Sequence, residues 1–173
     1  MQKISPFLWF NGQAEEAANF YVSLFRDSKI VRVVRNGEVA PGPTGDALVV
    51  EFELFGQAFT AMNGGPNHPF TDAISLLVEC EDQAEIDRYW NALIADGGAP
   101  VACGWLKDKY GLSWQIAPKR LLQLIGSPDR AQVDRVMAAM MQMIKIDLGK
   151  IEAAAAPLLA QLPDEQPVGG PRA

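Results

Sequence analysis

Two carboxylates, Glu51 and Glu53, alternate along the strand-like run Val49–Leu54 and offer acid–base chemistry. A two-residue turn at Phe55-Gly56 pairs Glu53 with Ala58 and Glu51 with Thr60, which puts both acids and Thr60 on one sheet face. A carboxylate enclosed in a partly polar cavity has a raised pKa and serves as a general base, and Glu51 is the candidate. The competing reading is a pair of acids on a solvated rim. Nucleophilic triads and histidine-based metal sites are excluded by composition. The only histidine, His68, sits in the linker Gly64-Gly65-Pro66-Asn67-His68-Pro69 and reads as incidental. Cys80 and Cys103 form no CxxC pair and read as reduced, buried thiols. No glycine-rich strand–turn–helix with an acid about 20 residues on is present, so a dinucleotide or S-adenosylmethionine fingerprint is missing. In Asn63-Gly64-Gly65, the glycines either admit a ligand close to the backbone or make a turn needing positive φ.

The elements that must position these groups occur twice. Ile4-Ser5 opens one apolar run and Ile74-Ser75 another; Gln13-Ala14-Glu15 and Gln83-Ala84-Glu85 each begin an amphipathic helix. The helices carry the aromatic pairs Phe20-Tyr21 and Tyr89-Trp90, and each half closes in a hairpin, around Phe55-Gly56 and Tyr110-Gly111. Each half therefore reads strand–helix–strand–strand–strand, a two-module repeat with a ligand site between its halves. The first half is expected as strands at 4–10, 29–34, 49–54 and 57–63 and a helix from Ala14 to Phe25. The second is expected as strands at 73–79, 101–103, 104–107 and 113–117 and a helix over 83–96. The loop 36–45, rich in turn formers, is either a lid or a plain surface loop. Beyond 118, helices are expected over 119–126, 129–146 with Asp129 as N-cap, and 150–162. Val133, Val136, Met137, Met140, Ile144 and Leu148 form one stripe, for core, dimer contact or an adaptable methionine-rich face. Residues 163–173 read as a disordered tail.

With 173 residues, 49% of them hydrophobic, the chain has material for one domain with an appendage. A net charge of −6 argues against nucleic acid. No apolar run approaches membrane-spanning length, and the N-terminus lacks a signal peptide's apolar region, so a cytoplasmic protein is expected.

The segments PFLWFNGQAEEAANFYVSLF (6–25), FELFGQAFTAMNGGP (52–66), CEDQAEIDRYWNAL (80–93), CGWLKDKYGLSWQIAP (103–118) and VMAAMMQMIKIDLGKIEAA (136–154) resemble the PhnB-like branch of the vicinal oxygen chelate superfamily. This is the glyoxalase/bleomycin-resistance group, and the branch often carries the label 3-demethylubiquinone-9 3-methyltransferase. The resemblance implies an α+β fold: paired βαβββ modules at 4–65 and 72–118 forming a cup-shaped sheet, with a helical extension over 119–162. It also implies a homodimer. Enzymes of the superfamily hold a divalent metal in the cup, and the corresponding positions here are Ser5 (or Pro6), Thr60, Ser75 and Gln115. Hydroxyls and one amide supply no firm ligand for zinc or iron, so no metal and no cofactor are expected.

On that pattern Thr60 faces the cup, and strand alternation adds Met62, Glu51, Ser75, Ser113 and Gln115, bordered by Trp9 and Trp105, with Asn63 at the mouth. The expected function is binding of a small polar or mixed-polarity molecule in a cup without the usual metal. The alternatives are a metal-independent lyase or isomerase using Glu51, a methyltransferase as the family label implies, or a dimeric interaction module.

Overall fold

Periodicity of two gives way to periodicity of 3.6 where the chain turns from β1 (Phe7–Phe10) into α1 (Ala14–Leu24), and back again for β2 (Lys29–Arg35), β3 (Ala47–Leu54) and β4 (Gln57–Asn63). The second half repeats this with β5 (Leu76–Cys80), α2 (Gln83–Ile94), β6 (Ala99–Pro100), β7 (Trp105–Lys107) and β8 (Ser113–Pro118). Three helices follow: α3 (Lys119–Ile125), α4 (Arg130–Met140) and α5 (Leu148–Ala155). The computed structural model describes residues 3–40 and 42–157. The expected tail at 163–173 and the end of the expected last helix lie outside the described residues.

The two four-stranded sheets have the same order, β1-β4-β3-β2 and β5-β8-β7-β6. In each, the first strand is parallel to the last and the other pairs are antiparallel. The α+β architecture of paired βαβββ modules with a C-terminal helical extension is thus as expected. Phe55 and Gly56 both take positive φ, 49° and 74°, as the two-residue turn requires. The register is the expected one, Glu53 opposite Ala58 and Glu51 opposite Thr60.

The helices cover one face of the sheets. Ala14, Ala17 and Ala18 are fully buried, and their small side chains let α1 lie close on β3, while Tyr21 and Phe25 reach the second module. Phe25 stacks on Trp114 with ring centroids 5.5 Å apart and lies 5.0 Å from Tyr89; Tyr21 lies 5.3 Å from Trp114. One hydrophobic core therefore runs through both halves. Asp82 caps α2, accepting a hydrogen bond from the Glu85 amide at 2.8 Å.

Several boundaries differ from the sequence expectation. β1 begins only at Phe7 because Pro6 can accept but not donate a ladder bond; its carbonyl accepts from the Thr60 amide at 3.1 Å. β5 begins at Leu76 instead of Ala73. The 101–103 strand is absent: its place is a bend in which Cys103 takes φ 57°. The long helix from 129 also breaks. α4 starts as expected on an Asp129 cap, 3.1 Å from the Gln132 amide, but ends at Met140. The carbonyls of Met143 and Ile144 instead accept from the Cys103 and Gly104 amides, both at 2.8 Å. Ile146 is then fully buried against the corner, while Ile144 is exposed and leaves the expected stripe. Gly104 has φ +83°, and a Cβ there would come within 2.9 Å of both the Ile116 carbonyl and Ile146 Cγ1, so the corner requires glycine. Leu121, Leu124, Val136, Ile146, Ile151 and Ala155 make a separate small core that seats the extension.

Candidate functional site

The faces of the sheets turned away from the helices carry the candidate residues. On the first sheet, one row runs Phe7–Thr60–Glu51–Arg32 and the next brings Trp9, Met62 and Val49 together. On the second, Leu77, Gln115 and Trp105 share a row, and Lys107 stands opposite Ser113. The strand position level with Thr60 is thus Phe7, and Ser5 lies before the strand. The pseudo-equivalent pair is Leu77 with Gln115, and Ser75 sits diagonally from Gln115. That diagonal is bonded, with Gln115 Nε2 donating to Ser75 Oγ at 2.8 Å. Leu77 stands level with Gln115, and Phe7 and Ile74 line one recess with Ser75. Leu77, Phe7 and Ile74 are 46%, 58% and 64% exposed, apolar surface beside polar groups.

Not every candidate is free to meet a ligand. Asn63 accepts from the Ala14 amide at 2.9 Å through Oδ1 and donates to the Ala47 carbonyl at 2.9 Å, so it caps α1 across 49 residues. Ser113 is buried, and its hydroxyl donates to Asp72 Oδ1 at 3.2 Å, the same oxygen that Lys107 Nζ approaches at 2.7 Å. Lys107 holds the Asp72 carboxyl below the ordinary range. Trp9 Nε1 donates to the Gly65 carbonyl at 2.8 Å, and the indole meets His68 edge-on at 4.7 Å. A Cβ on Gly64 would fall 2.1 Å from the Trp9 ring. The close approach foreseen at the glycine pair is therefore made by Trp9, and Gly65, at φ +91°, also satisfies the turn reading.

The expectation of a raised pKa at Glu51 is overturned. Arg32, directly opposite on β2, donates to both carboxylate oxygens, and that hydrogen bonding holds Glu51 below the ordinary carboxylate range. An exposed, ionised carboxylate held by arginine is a poor general base at neutral pH. Lys29 lies 3.2 Å from Glu53 in the same way.

A buried carboxyl and a buried phenol lie instead at the junction of the modules. Asp108 is 3% exposed and accepts four hydrogen bonds: Tyr21 Oη at 2.7 Å, Trp114 Nε1 at 2.9 Å, and the amides of Tyr110 at 2.9 Å and Leu112 at 3.0 Å. Burial pushes the Asp108 carboxyl up against the lowering effect of these donors, and burial likewise pushes the Tyr21 hydroxyl up. With all four bonds satisfied, Asp108 is a tie between α1 and the β7–β8 turn. The sequence offers no signal for it, because Lys107-Asp108-Lys109 reads as a charged surface turn. Cys80 is buried and its thiol is raised to about 12, which fits the inert reading.

Three cavities are lined by parts of these surfaces. A slot of about 510 Å³ takes in Ser75, and a recess of about 280 Å³ joins Trp9, Ser75, His68 and Phe70. A third, of about 460 Å³, lies at the start of α1 beside Asn63 and the loop from Asn36. Glu51, Thr60, Met62, Trp105, Ser113 and Gln115 line none of the three. Of the candidates, Trp9 and Ser75 are brought together in one of these cavities. Among the described residues, no three His, Cys, Asp or Glu side chains gather to hold a metal ion. The Ser5, Thr60, Ser75 and Gln115 set lacks imidazole, thiolate and carboxylate, and does not fit a firmly held transition metal.

Residues 2–117 match the family of 3-demethylubiquinone-9 3-methyltransferase. A PhnB protein from Bacillus cereus, which carries a provisional 3-demethylubiquinone-9 3-methyltransferase name, is 43% identical. The match covers 68% of this chain and 99% of that one, with a TM-score of 0.63. The chain belongs to this PhnB-like family. Its two βαβββ modules place it in the vicinal oxygen chelate superfamily. Protein PA1353 from Pseudomonas aeruginosa shares the fold at 22% identity and a TM-score of 0.56, over 68% of this chain and 98% of its own. No curated protein matches the chain. The family match ends at 117, so α3–α5 lie outside it. No described helix is long and apolar enough to cross a membrane.

Proposed function

We propose that this PhnB-like protein binds a small molecule of mixed polarity on the open faces of its sheets, without a divalent metal, and that two copies of the chain close those faces into cups. The supporting observation is the bonded Gln115–Ser75 pair beside exposed Phe7, Ile74 and Leu77. An amide and a hydroxyl fix a polar group, and the apolar neighbours supply burial area. A second copy is the occupant that fits, because each chain carries two half-cups of matching construction, Phe7–Thr60 and Leu77–Gln115. Charged pairs border the first half-cup, Lys29–Glu53 and Arg32–Glu51, and the rim of the second carries both Glu79 and Lys107. Opposite charges are thus available on either side of the joint.

Glu51 has no base role in this reading. Its pairing with Arg32 makes it part of the wall. A methyltransferase reading rests on the family's name and on that of the Bacillus cereus relative.

A thermal-shift panel of small polar and aromatic molecules, with S-adenosylmethionine included, tests the proposal. Compounds that stabilise the wild type but not Gln115→Ala support it. Stabilisation by S-adenosylmethionine that survives in Gln115→Ala overturns it in favour of the methyltransferase reading.

A further inference from the structure

The largest of the three cavities is a slot at the seam where the β3–β4 turn of the first module faces β5 of the second. Its floor is aromatic and apolar: Phe25, Phe59 and Trp114, with Leu54 and Val78. These are helix-side residues, so the slot enters the joint between modules and is built differently from the open faces. Phe55, at the tip of the hairpin, and Leu77, at the edge of β5, are both about half exposed at its mouth.

Five charged side chains line the slot, and three have partners. Lys119 is ion-paired with Glu81, and Glu85 accepts from the Glu81 amide at 2.9 Å and lies 3.6 Å from Arg88. The other two, Arg26 on the first module and Glu79 on the second, have no side-chain hydrogen bond or ion pair to any described residue. Arg26 and Glu79, neither side chain in a hydrogen bond or close ion pair to a described residue though Lys119 lies within the field of Glu79, thus line one cavity with aromatic walls from opposite modules. A cavity of about 510 Å³ is large enough for a ligand of amino-acid size.

We propose that the slot binds a free aromatic α-amino acid. The ring lies on Phe25, Phe59 and Trp114, Arg26 takes the carboxylate and Glu79 the ammonium. Arginine suits the planar carboxylate through paired donors, and a carboxylate beside aromatic faces suits an ammonium. Because the two charged anchors belong to different modules, a bound zwitterion ties them together. The slot shares Ser75, Leu77 and Glu79 with the edge of the second open face but uses neither Gln115 nor Thr60.

Titration calorimetry of the full chain with L-phenylalanine, phenethylamine and hydrocinnamate tests it, because the last two each lack one charged end. L-phenylalanine is expected to bind more tightly than either by about tenfold or more, the worth of one charge-assisted hydrogen bond. Glu79→Gln should weaken L-phenylalanine and phenethylamine and spare hydrocinnamate; Arg26→Gln should weaken L-phenylalanine and hydrocinnamate and spare phenethylamine. Both residues are exposed, so folding is not at issue, and a matching melting temperature checks this. Thr60→Ala, on the other half-cup and outside the slot, should leave all three affinities unchanged; a loss there would assign the ligand to the open faces and overturn the slot. No heat with L-phenylalanine, or equal affinity for the three compounds, also overturns it.

Discussion

Removing one hydroxyl, in Tyr21→Phe, should destabilise the protein in a way that depends on pH. Tyr21 is fully buried on α1, and its hydroxyl donates to Asp108 Oδ2 at 2.7 Å across the module junction. The substitution leaves the ring packing on Trp114 and Phe52 in place and removes only the donor. A hydrogen bond to a charged, buried acceptor contributes about 1.5–3 kcal/mol, and three donors remain on Asp108, so a loss of about 2 kcal/mol is expected at neutral pH. The sign of the pH effect follows from linkage. Burial already raises the folded-state pKa of Asp108, and the Tyr21 bond opposes that rise. Without it the pKa rises further. A group with a raised folded pKa contributes stability below its unfolded value, and that stability is lost as pH rises through the folded value. Tyr21→Phe should therefore cost least in acid, where Asp108 is protonated in both proteins, and progressively more as Asp108 ionises. Urea unfolding at several pH values, followed by circular dichroism and tryptophan fluorescence, reads both effects. In an Asp108→Asn background the effect of Tyr21→Phe should shrink, which a double-mutant cycle measures. A loss below about 0.5 kcal/mol at neutral pH, or one that does not vary with pH, would refute the tie, because a charged buried acceptor cannot lose a donor that cheaply.

Asn63→Ala should cost about 1–2 kcal/mol in urea unfolding, the usual worth of a helix cap, and should loosen the start of α1 in hydrogen exchange. Gly104→Ala should cost about 2–4 kcal/mol, combining left-handed strain with overpacking against Ile116 and Ile146. By contrast, Gly111→Ala, whose Cβ would meet nothing within 4 Å, should cost only the conformational part. Because Arg32 depresses the Glu51 pKa, Glu51 contributes stability present above its unfolded value and lost as pH falls through its folded value. Glu51→Gln should lower stability slightly near neutrality, where the pair contributes, and change nothing in acid, where the pairing is already lost. A Glu51 carboxyl titrating near pH 7 by NMR would contradict the pairing.

Local rules made the first module readable. A two-residue turn at Phe55-Gly56 fixes every cross-strand pair in β3–β4, so Glu51, Glu53, Thr60 and Met62 fall on the face the alternation assigns them. The partner of Glu51 was not readable, because an eleven-residue loop and two register irregularities separate β2 from a fixed alignment with β3. Asn63 and Asp108 act over distances of 49 and 87 residues, and nothing in their neighbours marks a helix cap or a buried acceptor. The break after Met140 is likewise tertiary. The helical period continues past that point, but the amides of Cys103 and Gly104 take the next carbonyls and Ile146 fills the corner. The apolar stripe was a true core signal for Val133 and Val136 and a false one for Ile144.

On the proposed function, two chains close metal-free cups around a small molecule. Native mass spectrometry of the purified full chain tests it most directly, with Gln115→Ala measured beside the wild type. The expected result is a dimer without stoichiometric divalent metal that retains an added stabilising compound, with Gln115→Ala forming the same dimer but failing to retain it. A monomer, or a dimer carrying one divalent metal per chain, would contradict it.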